Sequence, residues 1–325
     1  MRSLTAIAYA RAGLLGNPSD IYGGRVIAFT FRNFSARVLV ERAERVVLGS
    51  EVSTDDLREA VAVGMAARRG EGALLAAALK QLTAHAPQLL DLRGSDARLG
   101  FRVTVTTDIP RQVGLAGSSA IVVAALRALA GWFGLALDSA TLAELALRAE
   151  RDELAITAGP MDRVAQAEEG LLYIDCRPPG STVPLAVQLL PPLFVAWDLT
   201  PGVPSGVLHE AVRARWQAGD PVVRAAVDAL AALADEGLAA LRAGDVARLG
   251  RLIDRNFAVR ASVWLHGDRD EALVEIGRRR GAAVKLCGSG GAVVGMIRAE
   301  AEYGRLEAAY REAGCGILRP DVAIR

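Results

Sequence analysis

The sequence predicts an α+β fold in two lobes, and three observations predict it. The first forty residues alternate short β-like runs with turns, the second half shifts to long helices, and the tail alternates strand, helix and glycine loop. At 325 residues, with 52% apolar and 23% charged side chains, the chain exceeds a minimal domain and supports a sizeable core. The boundary is placed in the proline-rich stretch from Pro178 to Pro192, giving an N-terminal lobe over 1–190 and a C-terminal lobe over 191–325.

The elements follow in order. Leu4 to Ala10, Arg25 to Thr30 and Ser35 to Glu41 carry β-branched and apolar runs bounded by turn residues and read as strands. Arg11 to Gly24 is dense in Gly, Pro, Asn and Asp, which is loop chemistry. Residues 54–86 have helical spacing with a break near Gly70 and Gly72, and Phe101 to Thr106 alternates as a strand. Gly117 to Gly131 and Ser139 to Leu154 are amphipathic helices, and Thr141 with Glu144 fits a capping box in the second. Leu171 to Asp175 and Leu193 to Asp198 read as strands. Helices are expected over Ser205–Ala218, Pro221–Arg242, Asp245–Arg260 and Arg269–Arg280, then strands Ala283–Leu286 and Ala292–Ile297, then a helix from Ala299 to Ala313.

Composition excludes several functions. The chain balances 38 basic against 37 acidic residues, so neither nucleic acid nor an anionic membrane is the expected partner. All the basic residues except Lys80 and Lys285 are arginines, which reads as composition bias, not a binding signal. Three cysteines without a CxxC, and the scattered His85, His209 and His266, argue against disulfides or zinc. Neither lysine sits in a Walker A loop, no GxGxxG follows a predicted strand, and HRD, DFG and GxSxG are absent. The short apolar N-terminus reads as a buried strand and no stretch reads as a membrane span, so a soluble, cytoplasmic protein is expected.

Three glycine-rich stations carry the chemistry. In Ile109 to Ile121, Gly114 and Gly117 permit a strained turn and Ser118 and Ser119 open a helix. Two readings stand: a capped helix with no ligand, or an amide cradle for phosphate whose serine reaches a phosphate-bound cation. In the second station, Glu150 and Asp162 lie on either side of a Gly-Pro turn. They are either solvated and capping acids or a metal ligand paired with a proton acceptor, as phosphoryl transfer requires. The third, Lys285 to Val294, is a tight hairpin or a backbone cradle.

Together and in this order, the stations resemble the three motifs of the GHMP kinase superfamily, the group of galactokinase, homoserine kinase, mevalonate kinase and phosphomevalonate kinase. Pro110 to Ala120 is similar to its motif PxxxGLxxSSA, Arg11 to Gly24 to its first motif, and Lys285 to Val294 to its C-terminal glycine motif. Gly13 to Tyr22, Met161 to Gln166, Leu190 to Leu193, Val212 to Asp220 and Asn256-Phe257 with Arg260 further resemble the glucuronokinase branch. The resemblance implies a ribosomal protein S5 domain 2-like N-terminal lobe and a ferredoxin-like C-terminal lobe. It also implies ATP- and Mg²⁺-dependent phosphorylation of D-glucuronate at the anomeric hydroxyl, by a monomer or homodimer.

Carried over residue by residue, the resemblance assigns ATP and phosphate contacts to Pro110, Gly114, Leu115, Ala116, Gly117, Ser118, Ser119 and Ala120, and to Gly288, Ser289 and Gly290. It assigns Mg²⁺ to Ser119 and Glu150 and catalysis to Asp162 and Arg11. Galactokinases carry Glu-His after the first-motif glycine, whereas Asn17 and Pro18 follow Gly16 here, a departure from the galactose-binding pattern. Asn17, Asp20 and Tyr22 remain candidate sugar contacts. A carboxylate substrate calls for a planar cation, and Arg25, Arg111, Arg163 and Arg260 are the candidates, each with a structural alternative. Trp216 and Trp264 read as packing residues. Rival readings are a related kinase acting on galacturonate, a neutral hexose or mevalonate, and a catalytically silent sugar- or nucleotide-binding regulator.

Overall fold

The computed structural model describes residues 3–66, 70–92, 100–200, 205–264 and 267–322; His266 lies outside them. The chain forms two compact units interleaved along the sequence. One comprises Met1–Ala10, Phe34–Ile109 and Gly117–Glu168; the other comprises Arg11–Asn33, Pro110–Ala116 and Glu169–Arg325.

Two long strands supply both units: β1 (Ser3–Leu15) and β2 (Arg25–Arg42), which pair with each other. The expected loop therefore begins later than Arg11, because Arg11 to Leu15 are buried and continue the strand. β2 also runs unbroken where a gap is expected near Asn33. The Asn33 amide stays in the strand by donating to the Arg319 carbonyl at 3.2 Å and accepting from the Asp321 amide at 2.7 Å. A chain segment nearly three hundred residues away thus replaces the turn that Asn33 favours.

In the first unit, β3 (Val46–Leu48) and β4 (Val52–Thr54) form a short hairpin. Two helices follow, α1 (Leu57–Ala66) and α2 (Glu71–His85), then β5 (Phe101–Thr107), which pairs antiparallel with β2 from Ala36 to Arg42 and parallel with β3. Next come α3 (Gly117–Phe133), α4 (Ser139–Arg148) and α5 (Met161–Glu168). The Ala, Val and Leu side chains of α3 are buried on most faces, so it packs against α2, α4 and α5 as a central helix. Asp138 caps α4 by accepting from the Thr141 amide at 2.7 Å, so Thr141 sits inside the first turn, not at the cap. The helix expected to reach Leu154 is α-helical only to Arg148, and Ala149–Glu153 widens into a single π turn.

The second unit continues with β6 (Leu171–Asp175) and β7 (Ser181–Leu185), where β6 pairs antiparallel with both β2 and β7. β8 (Leu193–Asp198) leads into α6 (Ser205–Gln217), α7 (Pro221–Ala243), α8 (Val246–Ala261) and α9 (Asp268–Arg278). β9 (Ala283–Leu286), β10 (Ala292–Met296), α10 (Tyr303–Glu312) and β11 (Cys315–Leu318) complete it. These last strands stand in the order β11-β8-β10-β9 with every pair antiparallel. That is the order of a ferredoxin-like sheet, as expected. Its core gathers Phe194, Leu273, Val274, Val284, Val293, Leu306 and Tyr310. Among the described residues, no helix is long and apolar enough to cross a membrane.

Candidate active site

In the first unit the site is built around a buried carboxylate. The π turn after α4 turns Glu150 inward until its side chain is fully buried, against the serines that open α3. Ser118 Oγ donates to Glu150 Oε1 at 3.1 Å, and Ser119 Oγ donates to Oε2 at 3.0 Å. Arg163, on the first turns of α5, pairs with Glu150 through Nε and a terminal nitrogen. A buried carboxylate is costly unless paired and hydrogen-bonded, and this one is both. The Arg163 guanidinium also donates to the Gly159 carbonyl at 3.0 Å and lies 3.5 Å from Asp162, whose side chain keeps 18% of its exposure. On the same turn, Glu153 pairs with Lys80 and accepts from Gln81 Nε2 at 2.7 Å, which anchors the π turn to α2.

Among the described residues, no group of three or more His, Cys, Asp or Glu could hold a metal ion. Mg²⁺ needs no such group: it typically takes one or two hard oxygen ligands and leaves the rest to water and phosphate. Glu150 with the hydroxyls of Ser118 and Ser119 is a donor set of that kind.

The second unit, taken by itself, carries glycine loops held by buried basic side chains. Arg11 donates through one terminal nitrogen to the Gly114 carbonyl at 2.7 Å and to the Cys287 carbonyl at 3.3 Å. It joins the 110–116 loop to the loop after β9. The two loops touch closely. A Cβ on Gly288 would stand 2.3 Å from the Gly114 oxygen, and one on Gly114, where φ is +71°, would stand 2.7 Å from the Gly290 oxygen. Gln112 and Ala116 also hold positive φ (58° and 62°), so the short loop concentrates backbone strain of the kind found at binding sites.

The third station is supported from beneath. Arg260 on α8 is buried and donates to the carbonyls of Gly288 and, at 2.8 Å, Ser289. Burial pulls its guanidinium down to about 10, which leaves it charged at neutral pH. Asp270 on α9 accepts from the Gly291 amide at 2.7 Å. Lys285 is fully buried and donates to the Gly13 carbonyl (2.6 Å), Asn17 Oδ1 (2.6 Å) and its neighbour's carbonyl (2.8 Å). Two of its three bonds order the first motif, and the third closes on its own strand. Cys287 is an inert buried thiol, pushed up to about 12 by burial.

The residues expected to contact sugar separate into two kinds. Asn17 is committed to Lys285 and to the Cys287 carbonyl. Arg25 is held in a fork by Asp235 at 2.8 and 3.0 Å, Arg163 by Glu150, and Arg260 by carbonyls, whereas Arg111 is exposed on the loop. Asp20 is buried, and Tyr22 lies against Trp216 with ring centres 4.8 Å apart. Asp270 and the Lys80–Glu153 anchor carry no motif, and sequence reasoning passed over them; each works through a partner far along the chain.

The description "GHMP kinases N terminal domain" matches residues 73–170, and "GHMP kinases C terminal" matches 238–314. The chain is 35% identical over 305 residues to "Glucuronokinase 1" of Arabidopsis thaliana, covering 88% of this chain and 83% of that protein. It is 36% identical over 307 residues to "Probable glucuronokinase 2" of the same plant, covering 88% and 82%. The structure of Lactococcus lactis galactokinase complexed with galactose superposes with a TM-score of 0.78 at 16% identity, covering 99% of this chain and 94% of that one, a likeness of fold. The loops, the buried acid and these similarities agree: the chain belongs to the GHMP kinases.

Proposed function

We propose that the protein is an ATP-dependent sugar 1-kinase that phosphorylates the anomeric hydroxyl of D-glucuronate to give glucuronate 1-phosphate and ADP. The observation that carries this reading is the similarity to the two Arabidopsis thaliana glucuronokinases, which runs through most of the chain.

In this mechanism the amides from Gly114 to Ser119, at a helix N-terminus, bind the phosphates, with the Gly288–Gly290 loop as a second wall. Arg11 positions both loops and adds positive charge to that wall. Glu150 and Ser119 would hold Mg²⁺, which when bound neutralises charge on the transferring phosphoryl group. Arg163 holds Glu150 in orientation through their buried ion pair. Asp162 accepts the proton from the anomeric hydroxyl as its oxygen forms a bond to the γ-phosphorus and the bond to the bridging oxygen of ADP breaks. No covalent phosphoenzyme is needed. The enzyme acts in the cytoplasm on ATP and a sugar acid, as a monomer or homodimer without nucleic acid or membrane.

The test is ADP release with Mg·ATP across D-glucuronate, D-galacturonate, D-glucose, D-galactose and mevalonate. Turnover preferring glucuronate is expected. Turnover of a neutral hexose alone would keep the kinase and overturn the substrate.

A further inference from the structure

We infer that Arg213 and the hydroxyl of Tyr22 form the subsite for the carboxylate of the uronic acid, walled by the rings of Trp216 and Trp264. This rests on the proposed sugar-acid kinase reading and names the group that makes the substrate acidic specific.

Tyr22 lies near the end of the first motif. Its ring centre lies 4.8 Å from that of Trp216 and 6.3 Å from that of Trp264, tilted by 46° and 56°. Within this aromatic corner, the Tyr22 hydroxyl is buried and has no hydrogen-bond partner. A buried hydroxyl left unsatisfied is a donor that an incoming acceptor would complete. Arg213 precedes Trp216 by one turn of α6, and side chains three apart share a helical face. Its guanidinium is the charge that pulls the Tyr22 phenol toward ionisation, opposed by the nearby Asp20. Burial prevails and pushes that phenol up to about 12, so the hydroxyl keeps its proton and remains a donor.

Among the described residues, Arg213 makes no ion pair or hydrogen bond, and it is exposed. That separates it from Arg25, Arg163 and Arg260, whose forks are already engaged. A guanidinium fork beside a neutral phenol suits a planar carboxylate, with two parallel N–H bonds from one and an O–H bond from the other. The ring faces of Trp216 and Tyr22 suit the C–H face of a pyranose. A sugar phosphate shares this anionic chemistry, and the test separates the two.

The experiment measures KM for D-glucuronate, glucose 6-phosphate, D-glucose and ATP in the wild type, Arg213→Ala, Arg213→Lys and Tyr22→Phe. Tryptophan fluorescence is titrated with glucuronate in the absence of ATP. Loss of a charge-assisted pair predicts that Arg213→Ala raises KM and Kd for glucuronate by about 10- to 100-fold, while KM for ATP holds. Arg213→Lys restores only part, because the fork is lost. Tyr22→Phe raises the same constants by about 3- to 10-fold. If the wild type turns over glucuronate and Arg213→Ala keeps its glucuronate KM and Kd within twofold, the subsite is wrong and the proposed activity stands. If the wild type prefers glucose 6-phosphate or a neutral hexose, both fall.

Discussion

The first unit satisfies a buried acid with side chains, and the second satisfies buried cations with backbone. Glu150 is surrounded by Ser118, Ser119 and Arg163, every one a side-chain partner. Arg260 and Lys285 bond mainly to the carbonyls of Gly288, Ser289, Gly13 and Leu286. The difference has a chemical sense. A buried acid must be held at a defined point by partners of fixed position, and short side chains on rigid helices do that. Glycine loops that turn their carbonyls inward leave acceptors to be met, and a buried basic side chain satisfies several carbonyls at once.

The largest effect tests the carboxylate of the first unit proposed as proton acceptor. Asp162→Asn removes the proposed proton acceptor while preserving shape, and kcat is expected to fall by about 10²- to 10⁴-fold with KM for ATP within a few-fold of wild type. Steady-state kinetics on the sugar that the wild type accepts checks this. Near-normal turnover would transfer the base to another residue.

The comparison itself is sharpened by removing one buried cation from each unit. Arg163→Met leaves Glu150 buried and unpaired, at an expected cost of about 3–5 kcal/mol. Arg260→Met leaves two loop carbonyls, which the glycine loop can expose to water by a small shift, at about 1–3 kcal/mol. Denaturant unfolding of the two variants ranks them. Equal losses would show that the nature of the partner left behind does not set the cost.

Gly114→Ala comes next, because it adds one methyl where φ is +71° and where the Gly290 oxygen stands 2.7 Å away. The expected cost is about 1–3 kcal/mol of local strain, read as a rise in KM for ATP of roughly tenfold with kcat less affected. An unchanged KM would mean that the two glycine loops are not the nucleotide wall.

These contrasts also explain what was legible in the sequence. Gly114, Ser119, Glu150 and Asp162 are readable because turns, caps and helix starts are local, and α3, α7 and α8 declare themselves by periodicity. The π turn is not local: it depends on Lys80 and Gln81 holding Glu153 from some seventy residues away. Asp270 supports Gly291 from another element, and the continuity of β2 at Asn33 depends on Arg319 and Asp321. Arg213 is one arginine among thirty-six, and only the buried, unpartnered hydroxyl of Tyr22 beside Trp216 singles it out. Partnership over long sequence separation leaves no spacing to count.

The smallest effect probes whether the second unit can also hold an acid by side chain. Asp198, at the end of β8, is buried and pairs with Arg269, and it accepts from the Thr200 amide at 2.9 Å. The hydrogen bond from Arg269 comes first in holding its carboxyl below the ordinary aspartate value, against burial. A depressed folded-state pKa gives stability that is present above the unfolded pKa and fades as pH falls through the folded one. Arg269→Gln should therefore lower stability at neutral pH and flatten its decline on acidification below the ordinary aspartate range. Because the Arg269 side chain is 53% exposed, the loss at neutral pH should stay within about 1 kcal/mol, well under that of Arg163→Met. Chemical denaturation at neutral and acidic pH measures both quantities. A loss matching that of Arg163→Met would mean that burial of the acid alone, irrespective of its partner's exposure, sets the energy in both units.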